Sequence, residues 1–106
     1  MMISKGRGFL CESIQEKAKK FLGEEITQKE LRLYPFIDYS IKNGGYLDRS
    51  KIDDAERKIL NERISQEHIF RSYDGYIFVS RKFYDFMQDV LADSYVTFME
   101  DVVNET

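Results

Sequence analysis

Ser50 to Leu91, SKIDDAERKILNERISQEHIFRSYDGYIFVSRKFYDFMQDVL, is the stretch on which the fold turns. Ile52, Ala55, Ile59, Leu60 and Ile64 recur at the spacing of one helical face, which predicts a helix over residues 51–65. Ser50-x-x-Asp53 reads as its capping signal. Asp53 and Asp54 complement the positive end of the helix dipole, and Asp54 is spaced to pair with Lys58. Two runs rich in aromatic and β-branched residues follow, His68 to Tyr73 and Tyr76 to Ser80, on either side of Asp74-Gly75. Asp-Gly in that setting predicts a β-hairpin closed by a type I′ turn, which needs φ > 0 at both central residues. Ser80 is placed to cap a last helix. In it Phe83, Phe86, Met87, Val90, Leu91, Phe98 and Val102 make one apolar stripe, widened by Tyr84, Tyr95, Met99 and Val103.

Working upstream, Leu10, Ile14, Ala18, Phe21 and Leu22 predict a helix over residues 9–22, with Gly23 as its C-cap. Thr27-x-x-Glu30 reads as a capping box, in which the hydroxyl accepts a free N–H and Glu30 reaches back. Pro35 conflicts with a continuous helix, because it lacks an N–H and disfavours α geometry at Tyr34. Either one helix kinks there or a short helix ends near Leu33 and a second restarts at Pro35. Proline suits a first helical position, which favours the restart. Asn43-Gly44-Gly45 stops this region, and Tyr46-Leu47 reads as a very short strand. Residues 1–8, with two glycines, Lys5 and Arg7, read as a flexible arm, and residues 9–106 as a single domain.

The bulk properties narrow the possibilities. A chain of 106 residues with 42% hydrophobic and 14% aromatic content builds one modest core. The single cysteine, Cys11, allows no internal disulfide and fits a reducing compartment. No run approaches the roughly 20 apolar residues of a membrane span, and Lys5 and Arg7 precede no signal-like apolar run. A cytoplasmic protein without membrane contact is expected. The net charge of −3 is unevenly spread: from Phe83 onward there are six acids and no Lys or Arg. Phosphate-contacting cations must therefore come from the first 82 residues.

The order helix, short strand, helix, strand, turn, strand, helix resembles the winged helix-turn-helix superfamily over roughly residues 30–92. Ile59-Leu60 through Ile64, then Ile69, then Tyr76-Ile77-Phe78-Val79-Ser80 leading into a helix carry the likeness. The resemblance implies a small winged-helix-like α+β domain, with one β-hairpin and a long C-terminal helix. It also implies that residues 51–65 face a partner, in that family the DNA major groove. Here Lys51, Arg57, Lys58 and Arg63 on that helix are balanced by Asp53, Asp54, Glu56 and Glu62.

No catalytic constellation, metal-ligand cluster or nucleotide-binding loop stands out, and His68 is the only histidine. A non-enzymatic macromolecule-binding module without cofactor is expected, in one of two forms. The first is a protein-interaction adaptor or small inhibitor whose Asp85, Asp89 and Asp93, at four-residue steps on the last helix, dock a basic partner. The second is a dimeric DNA-binding regulator that sets Arg57, Lys58, Arg63, Arg71, Arg81 and Lys82 against phosphates. The wide stripe of the last helix is open to two readings. It is a homodimer seam through Val90, Tyr95, Phe98, Met99 and Val102, or it packs against residues 9–22.

Overall fold

In the computed structural model, the backbone of residues 10–105 and the side chains of residues 10–94 are described. The expected arm, residues 1–8, lies outside them. Helix α1 spans Glu12–Leu22. Gly23 adopts φ 83° and its N–H returns to the Lys19 carbonyl at 3.0 Å, the left-handed C-cap that glycine tolerates best. Helix α2 spans Gln28–Lys42 as one element with Pro35 inside it, so the expected restart does not occur. Leu31, Leu33, Tyr34 and Ile37 straddle the proline and are each at most 1% exposed. Core packing on both sides outweighs the roughly 3 kcal/mol that an internal proline costs a helix.

Thr27 caps α2 as expected, accepting the Glu30 N–H at 3.1 Å, but the box is incomplete. The Glu30 carboxylate turns inward to Arg63 instead of back to Thr27. A short 3-10 turn at Arg49–Lys51, capped by Asp48, precedes helix α3 at Asp54–Ser65. Its N-cap is Asp53, not Ser50. The Asp53 carboxylate accepts the Glu56 N–H at 2.8 Å, and the Glu56 carboxylate accepts the Asp53 N–H at 2.9 Å. This reciprocal box fixes the start three residues later than the periodicity suggests. Asp54 then pairs with Arg57 at 2.6 Å rather than with Lys58.

Strands β1 (Ile69–Arg71) and β2 (Ile77–Val79) pair antiparallel, with Ile69 opposite Val79, Phe70 opposite Phe78 and Arg71 opposite Ile77. The turn differs from the expected two-residue type. The Ser72 N–H donates to the Tyr76 carbonyl at 2.8 Å, and the Gly75 N–H to the Ser72 carbonyl at 3.2 Å. Within this three-residue loop Gly75 alone has positive φ, 96°. That is the type I turn with a glycine bulge. The Ser72 hydroxyl donates to the Asp74 carboxylate at 2.6 Å and accepts the Tyr76 N–H at 3.1 Å. These bonds hold Asp74 in a local turn of its own.

Tyr46 bridges to Tyr76, Leu47 donates to Gly75 and Ile77 donates to Gly45, so the expected short strand flanks β2 on its other side. Helix α4 spans Arg81–Glu105, and Ser80 caps it through the Phe83 N–H at 3.0 Å. Helices α1 and α2 pack on α4, while α3 packs on α2 and β1. Ile14, Leu31, Tyr34, Leu60, Ile69, Phe83 and Met87 fill the core. Each contributes roughly 1.5–3 kcal/mol of burial. The described residues form a small α+β domain of four α-helices and one antiparallel hairpin. The element order is compatible with a winged-helix-like arrangement.

Candidate docking surface

Ile69 and Ile77 point into the core, 0% and 2% exposed. Strand side chains alternate, so Phe70 and Phe78 stand opposite each other on the outer face. Tyr76 lies two residues before Phe78 on that face, and Tyr46 lies across from Tyr76. Phe70, Phe78, Tyr76 and Tyr46 are 46, 60, 41 and 54% exposed, and Tyr73 at the loop tip is 107% exposed. An aromatic side chain carries roughly 150–250 Å², so these five present on the order of 500–700 Å² to solvent. That reaches or exceeds the largest apolar patch of a typical monomer, about 300–600 Å². Between His68 and Ser80 the only charged residues of fixed sign are Arg71 and Asp74.

The face is held in shape. The Tyr46 and Tyr76 rings meet edge to face, with centroids 5.7 Å apart. A Cβ on Gly75 would lie 2.8 Å from the Tyr46 Cε1, so the glycine lets this ring lie against the turn. The pattern Ile69-Phe70 and Ile77-Phe78 carried the signal for this surface. Inward isoleucines imply outward phenylalanines, on the 68–79 hairpin that the sequence offers, with the 51–65 helix and the acidic last helix, as a binding segment.

The candidate phosphate-contacting residues differ in exposure and in the partners that hold them. Arg63 is the clear correction: its side chain is 2% exposed and sits under α2. Its Nε and Nη2 donate to Glu30 at 2.7 and 2.8 Å. Its Nη1 donates to Gln66 at 2.9 Å and to Glu24 at 3.3 Å. The Tyr34 hydroxyl donates to the same Glu30 carboxylate at 2.5 Å. Burial, reinforced by the Glu30 charge, pushes Tyr34 far above the ordinary phenol range, so it stays a neutral donor. Arg57 is held by Asp54 and by the Arg49 carbonyl at 3.2 Å. Arg81 lies 3.3 Å from Asp85. Lys58 lines a groove between α2 and α3 with Glu24, Glu25 and Glu62. Lys82 lines a different groove, between α1 and α4, beside Phe21 and Phe86. Arg71 is exposed in β1. At the N-terminus of α3, Asp53 also accepts Lys29 at 2.6 Å, and this bond, with the Glu56 N–H, holds its carboxyl below the usual range.

The acidic residues of α4 divide as well. Asp93 accepts the Ser13 hydroxyl at 2.6 Å and the Lys17 ammonium at 2.9 Å, clasping α4 to α1. Burial opposes its ionisation, but the bonds from Ser13 and Lys17 prevail and hold its carboxyl below the usual range. Asp89 lies 3.9 Å from Lys17 and remains 69% exposed, and Asp85 faces Arg81. Val90 is 0% exposed and belongs to the core of this domain, so it cannot line a dimer seam. The side chains of Tyr95, Phe98, Met99 and Val102 lie outside the described residues.

His68 stacks on Phe83 and lies tilted against Phe21, with ring centroids at 5.4 and 4.9 Å. Burial, with the nearby Arg63 charge, lowers its pKa. Among the described residues no three His, Cys, Asp or Glu side chains are grouped to hold a metal ion. No described helix is long and apolar enough to cross a membrane. The chain matches no protein-family model, no curated protein and no solved structure.

Proposed function

We propose that this domain is a non-enzymatic protein-interaction module of winged-helix-like architecture, working in the cytoplasm, and that the outer face of the hairpin is its docking surface. One observation carries the reading: four aromatic residues of the hairpin, Phe70, Tyr73, Tyr76 and Phe78, and Tyr46 bridged to Tyr76 are all exposed. Interface centres are enriched in Tyr and Phe and depleted of charge, as this face is. The Tyr46 and Tyr76 rings, already set edge to face, lose little further entropy on contact. The acidic residues Asp85 and Asp89 on α4 offer a secondary polar rim for a basic partner, with Asp93 already engaged by Lys17.

The element order also supports a DNA-binding regulator, using the exposed Lys58, Arg71, Arg81 and Lys82. Against it stand the buried Arg63 and the carboxylate-capped end of α3, where base contacts would start. A photo-crosslinking residue placed at Phe78, and separately at Asp89, tests the proposal in cells. A discrete protein adduct from position 78 is expected. No protein adduct from that position, or only a nuclease-sensitive one, would overturn the docking reading.

A further inference from the structure

We infer that the occupant of the outer hairpin face is a second copy of this chain, the two hairpins meeting face to face about a two-fold axis. This rests on the docking reading above and gives that surface a partner of stated chemistry.

Charge is the first argument. A two-fold contact places one surface against itself, so any excess charge on it repels its own image. The chain carries −3 overall, and α4 contributes Asp85, Asp89 and Asp93 without a Lys or Arg after Lys82. The hairpin face escapes this penalty. Tyr46, Phe70, Tyr73, Tyr76 and Phe78 are uncharged. Asp74 lies in the turn, and Arg71, opposite the inward Ile77, alternates to the other side of β1 from Phe70. A single-stranded nucleic acid would stack on such rings but needs a cationic track for its phosphates. A hairpin with a single arginine does not provide it.

Area is the second argument. Two faces of on the order of 500–700 Å² bury roughly 1,000–1,400 Å² together, which reaches the lower part of the range for specific association, about 1,200–2,000 Å². Chemistry is the third. The centre of the face is the cross-strand pair Phe70 and Phe78, with tyrosine hydroxyls only toward Tyr46, Tyr73 and Tyr76. Aromatic rings complement one another in offset or edge-to-face pairs, so the surface is its own match. Homodimer interfaces are also more apolar than those between unlike proteins.

Sedimentation equilibrium of the full chain from about 1 μM to about 1 mM tests this, a span matched to weak-to-moderate association. The mass is expected to rise from 12.6 kDa toward twice that value. Phe78→Ser and Phe70→Ser should each weaken the dimer about tenfold or more. Glu16→Gln, exposed on α1, should leave it unchanged. Both phenylalanines are largely exposed, so the variants should keep the wild-type circular dichroism. Should either misfold, the wild type alone still decides. On dilution, the ring-proton NMR signals of Tyr46, Phe70, Tyr76 and Phe78 must shift while those of the core do not. A wild type that stays monomeric up to the highest concentration overturns the inference, as does a dimer indifferent to both phenylalanine variants. A monomer that still forms an adduct to an unlike protein at position 78 would overturn self-association and leave the docking surface intact. A nuclease-sensitive adduct would overturn both.

Discussion

Glu30→Ala removes the carboxylate that receives two guanidinium N–H bonds from Arg63 and the hydroxyl of Tyr34. Arg63 and Glu30 side chains are 2% and 4% exposed, so water does not replace the lost acceptor without opening the α2–α3 contact. Breaking one side of a buried pair costs about 3–5 kcal/mol, because the remaining charge is left without compensation. Gln66 and half-exposed Glu24 still accept from the Arg63 Nη1, which places this site near the lower end of that range. With a urea m-value of about 1–1.5 kcal/mol/M for a small domain, the midpoint should fall by about 2–3 M.

The chain has seven tyrosines and no tryptophan, so tyrosine fluorescence and far-ultraviolet circular dichroism are the probes. Replacing the whole network tells the other half. A Glu30→Leu, Tyr34→Phe, Arg63→Met variant should recover to within about 1 kcal/mol of the wild type or better, since apolar groups of similar volume avoid the desolvation cost. The reasoning is refuted if Glu30→Ala costs less than about 1 kcal/mol, or if the triple variant is as unstable as the sum of its singles.

Val90→Asp should unfold the domain or cost at least about 3–5 kcal/mol, because Val90 is 0% exposed and the new carboxylate has no partner. A folded variant of undiminished melting temperature would remove Val90 from the core. Gly75→Ala should cost about 1–3 kcal/mol from its φ of 96° and its approach to Tyr46. Adding Tyr46→Ala should recover part of that loss in thermal melts, because it relieves the contact but not the backbone. The folded pKa of His68 lies below its ordinary value of 6.5, so the unfolded chain binds the proton more readily. Its contribution is therefore present above about pH 6.5 and is lost as the pH falls through that value. Urea midpoints at pH 7.5 and 5.5 should differ more in the wild type than in His68→Gln, and equal differences would contradict the assignment.

Local signals were read from sequence where one residue answers to its immediate neighbours. Gly23, Thr27 and Ser80 cap the helices that their positions suggested, and Ile69 and Ile77 turn inward from the hairpin. The misreadings occur where a distant residue competes. Glu30 is spaced to close a capping box, yet Arg63, 33 residues on, outbids the local N–H. Arg63 in turn looks like a phosphate contact until α2 covers it. Pro35 should break a helix on its own, but the apolar residues around it are held by elements that no local window contains. The hairpin is legible as a candidate binding segment, but its exposed face is not: exposure of Phe70 and Phe78 depends on which side of the hairpin faces the helices, and periodicity leaves both sides equivalent.

The clasp between α1 and α4 has a consequence for how the chain is made. Ser13 and Asp93 stand 80 positions apart, and α1 meets α4 only once the last helix exists. Helix α1 has 11 residues, short of the roughly 12–15 at which an isolated helix becomes marginally stable in water. During synthesis it must wait for about seventy further residues, on the order of 4–14 s at about 5–20 residues per second. Through that interval Ile14, Ala18 and Phe21 lack the cover of α4, and the nascent chain carries an unfinished core that a chaperone or a protease can read. The same residues that close the domain thus set the moment at which it first becomes protected.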